Sequence, residues 1–116
     1  MSDRRMAQRF SLVIPLFIRE WNSLAPEKAA ESVNISESGV YFEMNAPPRK
    51  GAMVEIRIRM PEIITGAAAA DWQCIGKVMG VQPANSLHDA AGVRVRFDYY
   101  EVMGGHAPAP EPPLSG

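Results

Sequence analysis

Two stretches of the chain alternate apolar and charged residues with a period of two. In Val54-Glu55-Ile56-Arg57-Ile58-Arg59-Met60 every apolar side chain falls on one face and every charge on the other, and Val93-Arg94-Val95-Arg96-Phe97-Asp98 repeats the pattern. That period places the residues on half-buried strands. Val40-Tyr41-Phe42-Glu43-Met44 predicts a third strand with Val40, Phe42 and Met44 inward. Trp72 to Met79 predicts a fourth, weakened at Gly76, and Leu12 to Ile18 a fifth, where Pro15 implies an edge or a bulge.

Turn chemistry separates these runs. Asn45 to Gly51 contains two prolines and ends in glycine, Pro61 to Gly66 closes another strand, and Pro83 to Asp89 is a polar loop. Strands spaced this way, without long helices between them, predict an antiparallel sandwich or barrel. Two segments read as helical. Pro26 to Glu31 looks like a helix start with proline in its first turn, and Tyr99 to Met103 fits one closing helical turn before Gly104-Gly105. From His106 to Gly116 there are four prolines and almost nothing to bury, which predicts a disordered tail.

Length and composition limit the possibilities. A chain of 116 residues is one domain, and its 47% hydrophobic content can form a core. The single cysteine, Cys74, excludes a disulfide within the chain and suits a reducing cytoplasm. The most apolar run, Leu12 to Ile18, contains Pro15 and falls short of the about 20 residues that a membrane helix needs. The reading therefore has no membrane insertion and no signal peptide. A net charge of −1 argues against a general DNA or RNA partner.

Residues for catalysis or metal binding are hard to find. His88 lies in a loop and His106 in the tail, and neither has a cysteine or carboxylate at metal-ligand spacing. Cys74 sits mid-strand on the face of Trp72 and Val78, as a buried inert thiol would. There is no phosphate loop, nucleophile elbow or dinucleotide fingerprint. The expectation is a binding protein without catalytic residues, metal or cofactor.

Two constellations remain. Arg5-Met6-Ala7-Gln8-Arg9 spaces two guanidiniums as R-x-x-x-R, with Arg4 beside them. Guanidinium is always charged, forks onto phosphate oxygens, donates to the O6/N7 edge of guanine and stacks on flat rings. By itself such a cluster is also what a solvated terminus looks like. The second constellation is Asn34-Ile35-Ser36-Glu37-Ser38-Gly39, just ahead of the Val40–Met44 strand. By itself it is an ordinary hairpin turn, with Asn and Ser bonding locally and Gly supplying a conformation closed to other residues. Arg57, Arg59, Arg94 and Arg96 face outward beside Glu55 and Asp98 and read as plain sheet exterior.

In this order the two constellations resemble the PilZ family, whose domains carry R-x-x-x-R at their start and [D/N]-x-S-x-x-G two to three dozen residues later. The matching residues are Arg5 and Arg9, then Asn34, Ser36 and Gly39, with asparagine where many members have aspartate. Gly39-Val40-Tyr41-Phe42, Gly51, Gly76-Lys77-Val78 and the Gly92–Phe97 run extend the likeness over residues 3 to 100. The resemblance implies an all-β, six-stranded antiparallel barrel with a flexible N-terminal arm, its sixth strand at Ala29 to Asn34 in place of the helix start. It divides the chain into an arm (1–10), a barrel (11–104) and a tail (105–116). It further implies a stand-alone cytoplasmic receptor for cyclic di-GMP. Arg4, Arg5 and Arg9 would meet the phosphates and a guanine, Asn34 a guanine edge, Ser36 a phosphate or the turn, and Gly39 a close backbone approach. The output would pass to an unidentified downstream protein. The competing expectation is a PilZ-type protein-interaction domain that does not bind nucleotide. Such domains generally lack the arginine motif. A barrel for single-stranded nucleic acid would want exposed aromatics on a basic face, and only Tyr41 is a candidate.

Overall fold

A computed structural model describes residues 9–83 and 90–103. It contains strands β1 (Pro15–Glu20), β2 (Lys28–Ser36), β3 (Gly39–Met44) and β4 (Met53–Met60), a one-turn helix α1 (Glu62–Thr65), and strands β5 (Ala70–Gln82) and β6 (Ala91–Met103). The strands close into an antiparallel barrel in the order β1-β2-β3-β6-β5-β4. Closure gives the unpaired backbone of each barrel edge a partner, which an open sheet would leave exposed.

The alternation in the sequence becomes the wall of the barrel. Val54, Ile56, Ile58 and Met60 of β4 are buried, as are Val40, Phe42 and Met44 of β3 and Val93 and Val95 of β6, and they join Leu16, Ile18 and Ile35 in one core. Burying each such side chain contributes roughly 1.5–3 kcal/mol. Outward residues pair across the wall: Arg57 forks onto Glu27 (2.8 and 2.7 Å), Arg19 donates to Glu55 at 2.9 Å and Arg59 to Asp71 at 3.0 Å. The Arg57 fork holds the Glu27 carboxyl below its usual range and raises the guanidinium.

Three one-residue bulges keep the apolar side chains inward. On β2, Ser32 pairs with Phe42 and Asn34 with Tyr41, so Val33 is extra. On β5, Val78 pairs with Val95 and Gly80 with Arg94, so Met79 is extra. On β6, Phe97 pairs with Gly76 and Tyr99 with Ile75, so Asp98 is extra. A slip of one residue reverses every later side chain. Past each bulge Ile35, Val81 and Tyr100 face the same side as Ser32, Val78 and Phe97 before it.

Several sequence expectations change here. Tyr99 to Met103 is not a helical turn. It continues β6, because the bulge at Asp98 lets the ladder run on to Asp71 of β5. That end outlasts β3, which leaves Tyr100 and Val102 48% and 55% exposed. Pro15 marks neither an edge nor a bulge. It opens β1, where its missing N–H costs little, and Leu12 to Ile14 precede the strand. The Pro26–Glu31 helix start gives way to β2, as the barrel expectation required. Within the Pro61–Gly66 turn lies α1, closed by Gly66 in the left-handed conformation at φ 79°. Residues 1–8, 84–89 and 104–116, with Arg4, Arg5 and the tail expected beyond 105, lie outside the described residues.

Ser32 is the main buried polar anchor. Its hydroxyl donates to the Leu12 carbonyl and accepts the Ile14 N–H at 2.9 Å, so both of its capacities are used. Farther back, Phe10 exchanges two hydrogen bonds with Ile35 (2.8 and 2.9 Å), which fixes the chain against β2 from Phe10 onward.

Two predictions follow from this packing. A Cβ on Gly39 would strike the Val95 carbonyl, part of the barrel backbone, whereas a Cβ on Gly80 would meet only the Arg94 Nη2 at 3.1 Å, the end of a flexible side chain. Gly39→Ala should therefore destabilise by about 1–3 kcal/mol, and Gly80→Ala by much less, as read from denaturant midpoints. Equal midpoints for the two variants would refute the account. Cys74 is fully buried, and burial pushes its thiol from 9.0 up to about 12. Its contribution is complete below pH 9 and lost as pH climbs from 9 toward 12, because there the unfolded thiol ionises and the folded one does not. Denaturant titrations across that window should show a steeper loss for wild type than for Cys74→Val, and parallel curves would show that the thiol plays no part.

Candidate functional site

The β3–β6 pair forms the floor of an open groove on the outer wall of the barrel, with a volume of about 460 Å³. Two bulges flank it. Val33 on one side turns Asn34 outward, next to Tyr41, and Met79 on the other side lines the groove itself. Asn34, Tyr41, Arg94 and Gly80 stand in register across four neighbouring strands, β2, β3, β6 and β5.

Arg9 lines the same groove. Its placement follows from the chain after it: Phe10 bridges Ile35, so in antiparallel register Arg9 stands beside Ser36. Ser11 adds a second tie, its hydroxyl donating to Asn34 Oδ1 at 3.1 Å. That bond orients the amide and uses only its acceptor oxygen.

Ser36 and Gly39 shape the turn between β2 and β3. The Ser36 hydroxyl is buried, accepts the Ser38 N–H at 3.1 Å, lies 3.1 Å from the Ser38 Oγ and is 3.4 Å from the Gly39 carbonyl. Of the two roles expected for Ser36, holding the turn is the one these bonds perform. Gly39 corrects its sequence rationale. Its backbone is not in the left-handed region, where the glycines among the described residues are Gly51 and Gly66. Glycine stands here because β6 passes too close for a side chain.

Among the described residues the groove is lined by Arg9, Arg94 and Arg96 and by no carboxylate. Arg96 is paired along its own strand with Asp98 at 2.9 Å. The protein is nearly neutral overall, but this patch concentrates cations on hydroxyls, an amide and an aromatic ring. Such a set suits a ligand that is anionic and planar. Sequence reasoning grouped Arg9, Asn34, Ser36 and Gly39, and all four line this groove. It left out Tyr41, Met79 and Ser38, and it treated Arg94 as plain exterior. Only the pairing register could correct that, since alternation says that Arg94 points outward and not what lies beside it. Arg4 and Arg5 fall outside the described residues.

The likeness to known proteins agrees with this geometry. Among solved structures the chain is similar to the inhibitor of motility MotI/DgrA of Bacillus subtilis, with a TM-score of 0.64 and 18% identity over 90% of this chain. It matches only 46% of that protein, so it spans under half its length. It is also similar to the PilZ domain of CeSA from a cellulose-synthesizing bacterium, with a TM-score of 0.52 and 14% identity, over 77% of this chain and 79% of that one. At such identities the likeness establishes the barrel fold. No curated protein matches the chain in sequence. The family model of the PilZ domain matches residues 3–102, a span that takes in both arginine and asparagine-serine-glycine motifs, strands β1 to β5 and all but the last residue of β6. This chain belongs to the PilZ domain family.

Proposed function

We propose that the chain is a cytoplasmic, non-enzymatic receptor for cyclic di-GMP whose N-terminal arm folds over the bound nucleotide and presents a surface to a partner protein. The observation that carries this reading is the convergence of Arg9 with Asn34, Ser36 and Gly39, distant in sequence, on one groove without a carboxylate. Cyclic di-GMP offers two phosphates and two guanines. Arg5 and Arg9 neutralise phosphate and fork onto or stack against a guanine, and Arg4 adds a further contact. The Asn34 amide N–H donors face a guanine edge while Ser11 holds the oxygen. Ser36 keeps the turn in shape for these contacts. The partner is supported by the exposed apolar end of β6, where Tyr99, Tyr100, Val102 and Met103 reach solvent together.

Isothermal titration with cyclic di-GMP tests the reading directly. Wild type should bind, and Arg5→Ala or Arg9→Ala should each weaken binding by about 10- to 150-fold, the range for one charge-assisted contact. Melting without ligand should stay unchanged in both, since Arg9 is exposed and a charged guanidinium such as that of Arg5 is a poor core residue. Asn34→Ala should weaken binding with an unaltered circular dichroism spectrum. No heat and no ligand-induced shift in melting temperature for wild type would overturn the receptor and favour a PilZ domain used for protein interaction alone.

A second measurement addresses the arm. Ordering a backbone residue costs about 1–2 kcal/mol, and residues 2–8 offer little apolar surface against that cost apart from Met6. Backbone amide order parameters over Ser2 to Gln8 should rise on saturation with cyclic di-GMP, while Phe10, already bonded to Ile35, should change little. Identical order in the free and saturated protein would refute arm closure even if binding is real.

A further inference from the structure

Arg94 is set apart from the other outward arginines of the sheet. Arg19, Arg57, Arg59 and Arg96 each donate to a carboxylate on the barrel wall. Among the described residues Arg94 has no such partner, although it is exposed and lies in the groove. An ion pair on a surface neutralises its own cation, so among the described residues Arg94 is the strand arginine whose charge no carboxylate takes up.

Two glycines clear the space that Arg94 needs. Gly80 is its partner on β5, and the guanidinium lies against it, with Nη2 3.1 Å from where a Cβ would stand. Gly92 lies two residues before Arg94 on the same outer face of β6, and the Tyr41 hydroxyl occupies the space of its missing side chain. Any side chain at Gly80 or Gly92 would push Arg94 or Tyr41 from its place.

The spacing also fits a ligand with separated recognition points. Arg94 is two strands from Asn34 across Tyr41, or roughly 10 Å at the usual interstrand distance. Arg9 reaches the groove from the segment before the barrel, whereas Arg94 is held by β3 on one side and β5 on the other. The geometry points to Arg94 as a second anion-holding residue of the groove, fixed in the barrel wall, which takes a ligand phosphate. Gly80 and Tyr41 act as positioning residues for it. This assignment rests on the receptor reading above.

The test is calorimetry with cyclic di-GMP over a series of salt concentrations, using wild type, Arg94→Ala, Arg94→Lys and Arg9→Ala. Arg59→Ala serves as the control for simple loss of surface charge. Arg94→Ala should bind about 10- to 150-fold more weakly and show a flatter dependence of affinity on salt, because one phosphate contact has been removed. Arg94→Lys should keep the wild-type salt dependence and recover part of the affinity, since it retains the charge and loses the fork. Arg59→Ala should match wild type, and melting of free Arg94→Ala should be unchanged. Wild-type affinity in Arg94→Ala beside a weakened Arg9→Ala would overturn the role of Arg94 and leave the receptor standing. Weaker binding with an unchanged salt dependence would also overturn it, by removing phosphate as the contact. No binding by wild type would remove both readings together.

Discussion

The structure depends on one constraint: side chains on a strand alternate with a period of two, and a closed barrel allows only one face to be apolar. Each strand must keep its hydrophobic residues in phase over its whole length, and 13-residue strands such as β5 and β6 must do so while twisting around the barrel. The three bulges meet that demand. At Val33, Met79 and Asp98 the extra residue is taken up on the outer face; past the first two Ile35 and Val81 return to the core, and past the third Tyr100 stacks on Trp72. Without the bulges on β2 and β5, Ile35 and Val81 would point to solvent and forfeit their burial against the core, worth up to roughly 1.5–3 kcal/mol for a fully buried side chain.

The groove is a by-product of that packing. Two of the bulges border the β3–β6 pair, one aiming Asn34 outward and the other contributing Met79. Close approach of β3 and β6 at Gly39 keeps the floor between them flat enough for contact. The electrostatics follow from the same arrangement. The outward strand arginines Arg19, Arg57, Arg59 and Arg96 each meet a carboxylate on the barrel surface and are neutralised. Among the described residues the row through Asn34, Tyr41 and Arg94 has none, so a protein of net charge −1 carries a locally cationic face. Net charge describes the whole surface, and a binding site needs only a few unneutralised groups in one place.

Much of this was legible in the sequence because alternation is a local property. The inward sets Val54, Ile56, Ile58, Met60 and Val40, Phe42, Met44 required no knowledge of neighbours. The short motifs located one side of the groove for a similar reason: Ser36 and Gly39 act within a turn that is itself local. Tyr99 to Met103 was misread because nothing in its own residues reveals that β5 is long enough to pair with it. Arg94 was misjudged for a related reason, since its place in the groove depends on residues brought beside it from β2, β3 and β5.

The sequence by itself determined which faces are apolar, where the turns fall and that Arg9 and the Asn34–Gly39 segment carry polar chemistry. Those properties are set by spacing along the backbone and by the shape of single residues. Tertiary structure decided strand order, the positions of the bulges, the proximity of Arg9 to Ser36 and the carboxylate-free surroundings of Arg94. These depend on which strands become neighbours and in what register. That choice is made by burying the whole core at once, and no local window of residues contains it.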